Sequence, residues 1–281
     1  MGRARGGRWA PAGMTLIEML VAISVLAVMI LTVSSIMVQT QRFISAAQAS
    51  RRSHALAFTI ARIIRRDIRR ISKDGFLYIS GDNKLVFSTA GPASGINEST
   101  SGDGSIICYG QQNATSGTGQ TTYLWRPEYI CNCTTGVPST DISGERVNVS
   151  FSKLQVLAAK NADANSPFTL QALADKVAST SPTGLQLPPA KATQLKNLWQ
   201  VLVTNVNNLQ ISWTDGAKNA SPGNLKWYPN PDASPLPSML WTHQDQTNWP
   251  RAIRISFLIK DPLMPKEFRG TAYEVICTVG H

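Results

Sequence analysis

From Met19 to Val38 the chain runs for twenty residues without a charged side chain, MLVAISVLAVMILTVSSIMV. A helix of that length spans roughly 30 Å, the thickness of a bilayer's hydrocarbon core. Its apolar residues fall on nearly every face, so no single stripe could be turned toward a soluble core. The segment is therefore expected to cross a membrane. Arg3, Arg5 and Arg8 precede it in residues 1–13, with no acidic residue among them. Such basic leaders stay on the cytoplasmic side, which sends the C-terminal bulk across the bilayer. A secretory signal peptide has a shorter apolar run, of about 7 to 15 residues, closely followed by its cleavage site. An Ala47-Gln48-Ala49 triplet of that type exists, but it lies well beyond the run and after Arg42, so cleavage there is not expected.

The distribution of charge narrows the function classes. The 281 residues carry 27 Lys and Arg against 17 Asp and Glu, a formal net charge of +10. Residues 1–13 hold three basic groups, and residues 14–73 hold nine against only Glu18 and Asp67. From Asp74 to His281 the count is fifteen against fifteen, so the whole excess lies in the first quarter. With 43% hydrophobic and 16% charged residues, the chain is not a disordered polyelectrolyte.

Between Arg51 and Ile71 the residues Leu56, Ile60, Ile63, Ile64, Ile68 and Ile71 recur at helical spacing and share one side of a helix. Arg62, Arg65, Arg66, Arg69, Arg70 and Lys73 gather on the other side. No Gly or Pro interrupts the sequence between Met14 and Asp74, so one continuous helix of about 60 residues is expected. Its arginine face lacks interleaved aromatic residues and the neutral remainder offers no second basic surface, so no nucleic-acid partner is expected. The apolar face is expected to pack on a sheet. The arginine face would meet water, membrane headgroups or acidic neighbours.

Pro11-Ala12-Gly13 ends the basic leader, and Glu18 sits near the membrane end of the apolar run. A carboxylate there calls for a partner or a path to the headgroups. Cutting between Gly13 and Met14 would create an α-amino group one helical turn from Glu18. Gly13 followed by MTLIEMLVAISVLAVM resembles the type IV prepilin signal. The resemblance covers about 25 residues: the basic leader, Gly13 at the junction, Glu18 at mature position five and the unbroken apolar run. Met14 departs from the Phe usual in that family. The resemblance implies cleavage after Gly13 by a prepilin peptidase, N-methylation of Met14, and extraction from the inner membrane into a filament of pilins or pseudopilins. It also implies that Glu18 neutralises the amino terminus of an adjacent subunit.

After Asp74 the pattern changes to short β-rich runs bounded by Gly, Asn, Pro and Ser. Strands are expected at 76–80, 84–88, 105–109, 121–126, 146–152, 209–214, 252–260 and 272–279, with Gly81-Asp82-Asn83 as a hairpin turn. An Ala-rich, more helical insertion at about 157–199 is expected on the periphery. The expected fold class is thus α+β, a long N-terminal helix packed on an antiparallel sheet, as in pilins. The expected organisation is a leader at 1–13, a membrane helix at 14–38, its amphipathic continuation at 39–73 and an exported head at 74–281. The run LVTNVNNLQISWTDG, a Trp- and Pro-rich loop and WPRAIRISFLIKDP loosely resemble the head of J-type pseudopilins of type II secretion and of W-type minor pilins. Glu18 argues against the K-type tip subunit, which characteristically lacks this glutamate.

Cys108, Cys131, Cys133 and Cys277 all fall in the exported part, where disulfides persist. Cys131 and Cys133 are too close to bridge each other without strain, so Cys108 and Cys277 would each take one of them or pair with each other. No zinc-type spacing, GxSxG, GxGxxG, P-loop or HExxH motif occurs, and His54, His243 and His281 stand in no recognisable catalytic arrangement. No cofactor, metal or enzymatic activity is expected. The sequence reads as a J-type pseudopilin placed near the tip of a type II secretion pseudopilus, with a W-type minor pilin of a type IV pilus as the alternative. Either is inner-membrane and single-pass with a cytoplasmic N-terminus, and its partners are prepilin peptidase and other pilins. The alternative of another class is an uncleaved single-pass anchor carrying a β-rich ligand-binding head.

Overall fold

The computed structural model describes residues 15–95, 101–116, 119–132, 139–154, 169–180, 201–218, 224–228, 238–245, 248–260 and 270–279. Helix α1, Leu16–Arg69, runs for 54 residues without a break, as the absence of Gly and Pro predicts. The amides of Arg70 and Ile71 close its end by bonding the carbonyls of Asp67 and Ile68 in a tightened last turn. Arg66 and Arg69 occupy that turn, where the helix dipole favours cations. The chain divides into two compact units, Met1–Ala49 and Ser50–His281.

In the second unit the strands are β1 Phe76–Ser80, β2 Lys84–Ser94, β3 Ser101–Ser116, β4 Gly119–Trp125, β5 Glu128–Cys131, β6 Ile142–Ser143, β7 Arg146–Val147, β8 Val201–Thr204, β9 Val206–Thr214, β10 Met239–Thr242, β11 Ala252–Ile259 and β12 Thr271–Thr278. One sheet runs β10-β1-β2-β3-β5-β7-β6, with β4 pairing β3 and β8; the other runs β12-β11-β9. Pairing is antiparallel except between β5 and β7. The β1–β2 turn closes with Ser80 opposite Lys84, and Asn83 takes the left-handed conformation, φ 57°, that a three-residue hairpin needs.

Side chains of the first sheet alternate between two cores. Leu77, Ile79, Leu85, Phe87, Ile107 and Tyr109 join Ala57, Ile60, Ile64, Ile68 and Ile71 from α1 and the end of its last turn, together with β9, β11 and β12. Phe76, Tyr78, Val86, Ile106 and Cys108 point the other way, onto helix α2, Leu170–Ser179. Burial on both faces explains why FLYI, LVF and IICY are unbroken apolar runs. The segment expected on the periphery is thus partly core: Leu170, Leu173, Ala174, Val177 and Ala178 of α2 are buried. Thr169 caps α2 by accepting from the Ala172 amide at 3.0 Å, and the Tyr78 hydroxyl donates to Asp175 at 2.5 Å. The flanking stretches of the insertion, 157–168 and 181–199, lie outside the described residues.

Other expectations are corrected locally. The strand expected over 146–152 stops at Val147, and a helical turn begins at Phe151. The Asp103 carboxylate accepts from the amides of Phe151 at 2.9 Å and Ser152 at 3.4 Å, which supports that turn instead of a ladder. The run LVTNVNNLQISWT is cut at Asn205, φ 60°, into β8 and β9, which join different sheets. Leu56, expected on the buried side of α1, is exposed.

A buried polar node ties α1 to the sheet. Asp67 is fully buried on the same side as Ile60, Ile64 and Ile68. Its Oδ2 accepts from the Tyr109 hydroxyl at 2.6 Å and from Arg126 Nε at 2.5 Å, while Oδ1 stands 3.2 Å from Arg66 Nε. Arg126 also donates to Glu128 at 2.9 Å, and Glu128 accepts from Ser105 at 2.9 Å. Ser105 in turn shares a hydrogen bond with Thr89 at 2.9 Å.

Removing one member of such a node leaves its partners desolvated and unpaired. Asp67→Ala is therefore expected to lower stability by about 3 to 5 kcal/mol in denaturant unfolding of the full chain in detergent, and Asp67→Asn by less. The tyrosines add a pH dependence. Burial, with the negative charge of Asp67, holds the Tyr109 phenol well above the ordinary range, and burial alone pushes Tyr123 up to about 12. The folded state keeps protons that the unfolded chain releases near pH 10, so this stability is full below about pH 10 and is lost as pH rises further. The thermal midpoint is expected to hold between about pH 7 and 9 and to fall above about pH 10, less steeply in Tyr109→Phe once its lower starting stability is subtracted.

Candidate assembly site

Thr15 and Glu18 build the first turn of α1 between them. The Thr15 amide and hydroxyl donate to the same Glu18 oxygen, Oε2, at 2.8 and 3.0 Å. The Glu18 amide approaches Thr15 Oγ1 at 3.4 Å in return. This is a reciprocal capping box: each side chain satisfies a backbone N–H that the helix start leaves free, and the carboxylate lies at the positive end of the dipole. Sequence reasoning sought the partner of Glu18 outside the chain and missed Thr15. The spacing Thr15-Leu16-Ile17-Glu18 is itself the signature of such a cap. Gly13 and Met14 lie outside the described residues.

Beyond the cap, every large apolar side chain from Leu16 to Ile44 is exposed, from 47% at Val38 to 83% at Leu16. An 18-residue window reaches a mean hydropathy of 2.7 with none of it buried, long and apolar enough to cross a membrane. Three of its hydroxyls are satisfied within the helix. Ser24, Thr32 and Thr40 donate to the carbonyls of Val21, Met29 and Ile36, each at 2.8 Å. Hydroxyls bonded back to their own helix can enter hydrocarbon without an unsatisfied donor. What remains is an apolar shaft that needs lipid or other apolar helices around it.

The other sequence candidates do not converge. Cys108, Cys131 and Cys277 are buried free thiols, and Cys133 lies outside the described residues. The pairing of Ser105 with Ile130 sets Cys131 opposite Gly104. That leaves Cys131 and Cys108 four residues apart along the ladder, ~13 Å, beyond disulfide reach. The expected alternative of a Cys108–Cys277 bridge is not formed either, because the two thiols belong to different cores. Burial pushes all three thiols up, which keeps them protonated near neutral pH. His54 lies on α1, its Nδ1 3.3 Å from the Tyr273 hydroxyl. His243 opens a short 3₁₀ turn with its Nδ1 buried. Among the described residues, no group of three or more His, Cys, Asp or Glu is placed to hold a metal ion.

Residues 11–34 match the family described as the prokaryotic N-terminal methylation motif, the type IV pilin signal. No curated protein and no solved structure matches the chain. The signal supports a type IV pilin-like protein, and the fold, a long N-terminal apolar helix followed by a mostly antiparallel β domain, is consistent with that class. The signal is that of a structural subunit processed by prepilin peptidase and assembled with other pilins. The apolar helix, the one such helix among the described residues, fits a single-pass inner-membrane anchor.

The cap separates two roles for Glu18. Glutamine can hold the capping box but carries no charge. If the negative charge matters for assembly, Glu18→Gln and Glu18→Ala are expected to be processed alike and to lose filament incorporation alike, scored by recovery in sheared filaments. Incorporation rescued by Gln alone would assign the residue to the cap.

Proposed function

We propose that the chain is a minor pseudopilin, made as an inner-membrane precursor, cut between Gly13 and Met14, N-methylated at Met14 and assembled near the tip of a short periplasmic filament of J-type character that supports type II secretion. The observation that carries this reading is the juxtaposition of the methylation signal at 11–34 with a 54-residue helix whose apolar start is wholly exposed. Sister helices would cover that apolar shaft by packing side by side once the subunit leaves the bilayer. Glu18, held at the helix start by Thr15, would then face the new amino group of a neighbouring Met14. The head, neutral and joined to α1 through Asp67, supplies lateral contacts. Its work is mechanical. A W-type minor pilin of a surface pilus shares the processing and the helix packing, and differs in the filament that recruits it.

Intact-mass measurement after co-expression with a prepilin peptidase is expected to show the loss of residues 1–13 and the gain of one methyl group. Gly13→Trp is expected to leave the precursor uncut. An unprocessed, unmethylated N-terminus in the unaltered chain would sink the proposal in favour of a simple anchored head. Recovery with secretion-system rather than pilus subunits in a pull-down separates the pseudopilin from the pilus reading.

A further inference from the structure

The outer side of the second half of α1 carries a furrow lined by Phe58, Arg62, Arg65, Arg66 and Arg69. It lies opposite the buried stripe of Ala57, Ile60, Ile64 and Ile68. The spacing of its residues, at four, seven, eight and eleven positions after Phe58, follows the ridge rows by which helices interlock. Along α1 it extends roughly 16 Å, about three turns.

The furrow is electrically unbalanced. Asp67 is the only acidic residue of this half of the helix, and it is turned inward to Tyr109 and Arg126. Arg66 reaches its Oδ1 only through Nε. Arg62, Arg65 and Arg69 have no carboxylate within 4.0 Å among the described residues. Phe58 stands 68% exposed at one end, a large apolar side chain with nothing over it. Guanidinium groups in a row favour carboxylates, which they bind bidentately.

We propose that this furrow seats an acidic helix of a different subunit, with Phe58 as its apolar anchor. The inference rests on the pilin-like reading above. The same face of a second copy would oppose arginine with arginine, so homotypic pairing here is disfavoured by charge alone. A headgroup layer would be met better by Arg42, Arg51 and Arg52, which follow the apolar run, than by a narrow furrow further along the chain. A nucleic-acid strand would want stacking aromatics along the row, and Phe58 is the single one lining it. The like-charge clash thereby acts as a selection rule, excluding this chain from its own neighbour position while admitting an acidic sister.

Photo-crosslinking in the native host tests this with every arginine in place: p-benzoylphenylalanine substitutes for Phe58 in the full chain, and adducts are sequenced. The expected product joins position 58 to a peptide of another subunit that carries Asp or Glu at three- and four-residue spacing. Its yield is expected to fall about tenfold in Arg62→Glu/Arg65→Glu/Arg69→Glu, to persist in the triple Lys variant, and to return when the acidic residues of the captured peptide are exchanged for Lys. The three arginines are exposed, so an unchanged thermal midpoint of the Glu variant guards against misfolding. Adducts to a second copy, to phospholipid, to nucleic acid or to a peptide without net negative charge overturn the inference. Absence of any adduct in chains shown by intact mass to be processed overturns it too, leaving the pilin-like reading intact; an unprocessed chain overturns both.

Discussion

The buried carboxylate of Asp67 is the point on which the second unit turns. Around it converge α1 itself, Tyr109 from β3, Arg126 just after β4 and, through Arg126, Glu128 at the start of β5. Desolvating two charges costs several kcal/mol each, and their attraction in a low-dielectric interior roughly offsets it, so such a pair is weak as net stabilisation. Its effect is directional. Apolar stripes such as Ile60, Ile64 and Ile68 tolerate a slide or a small rotation, whereas Asp67 meets a hydroxyl and a guanidinium in one register only. The node therefore sets where along the sheet the helix lies.

That register matters because the first sheet is committed on both sides. Alternate residues of β1, β2 and β3 enter the core shared with α1, and their neighbours enter the core shared with α2. A shift of one residue in any strand would exchange the two sets. Tyr78 and Tyr109 mark the arrangement, each with its ring in one of the two cores and its hydroxyl on a carboxylate of the helix covering that face, Asp175 and Asp67 respectively. Buried aromatic rings with one satisfied polar end supply area and orientation together.

Much of this was legible in the sequence. The uncharged run, the unbroken helix and the strands at 76–80 and 252–260 follow from hydrophobic period and from the placement of Gly and Pro. The N-terminal signal was legible because each of its parts has a separate physical function. The short strands β5 and β10 were not, since four residues such as EYIC or MLWT carry no period of their own and are strands only because a neighbour offers a ladder. The central role of α2 was hidden for a different reason: its Ala-rich stripe looked peripheral beside flanking Pro and Ser, and only the second face of the sheet makes it core. Asp67 and Thr15 stood in plain view. The helical wheel already put Asp67 among the isoleucines, and the threonine three places before Glu18 already spelled a cap.

These two acids, Glu18 and Asp67, are the only ones between Met14 and Lys73, and among the described arginines of the helix exterior only Arg66 reaches either of them, through its Nε. Glu18 is held at the helix start by Thr15, and Asp67 is withdrawn into the core. Composition therefore understates how basic the exterior is. The same carboxylate that fixes the helix on its sheet meets only Arg66 of the furrow's arginines, so internal order and external charge have one cause. Placing Asp67 on the outer face instead would quench the row of cations and unpin the helix in a single step.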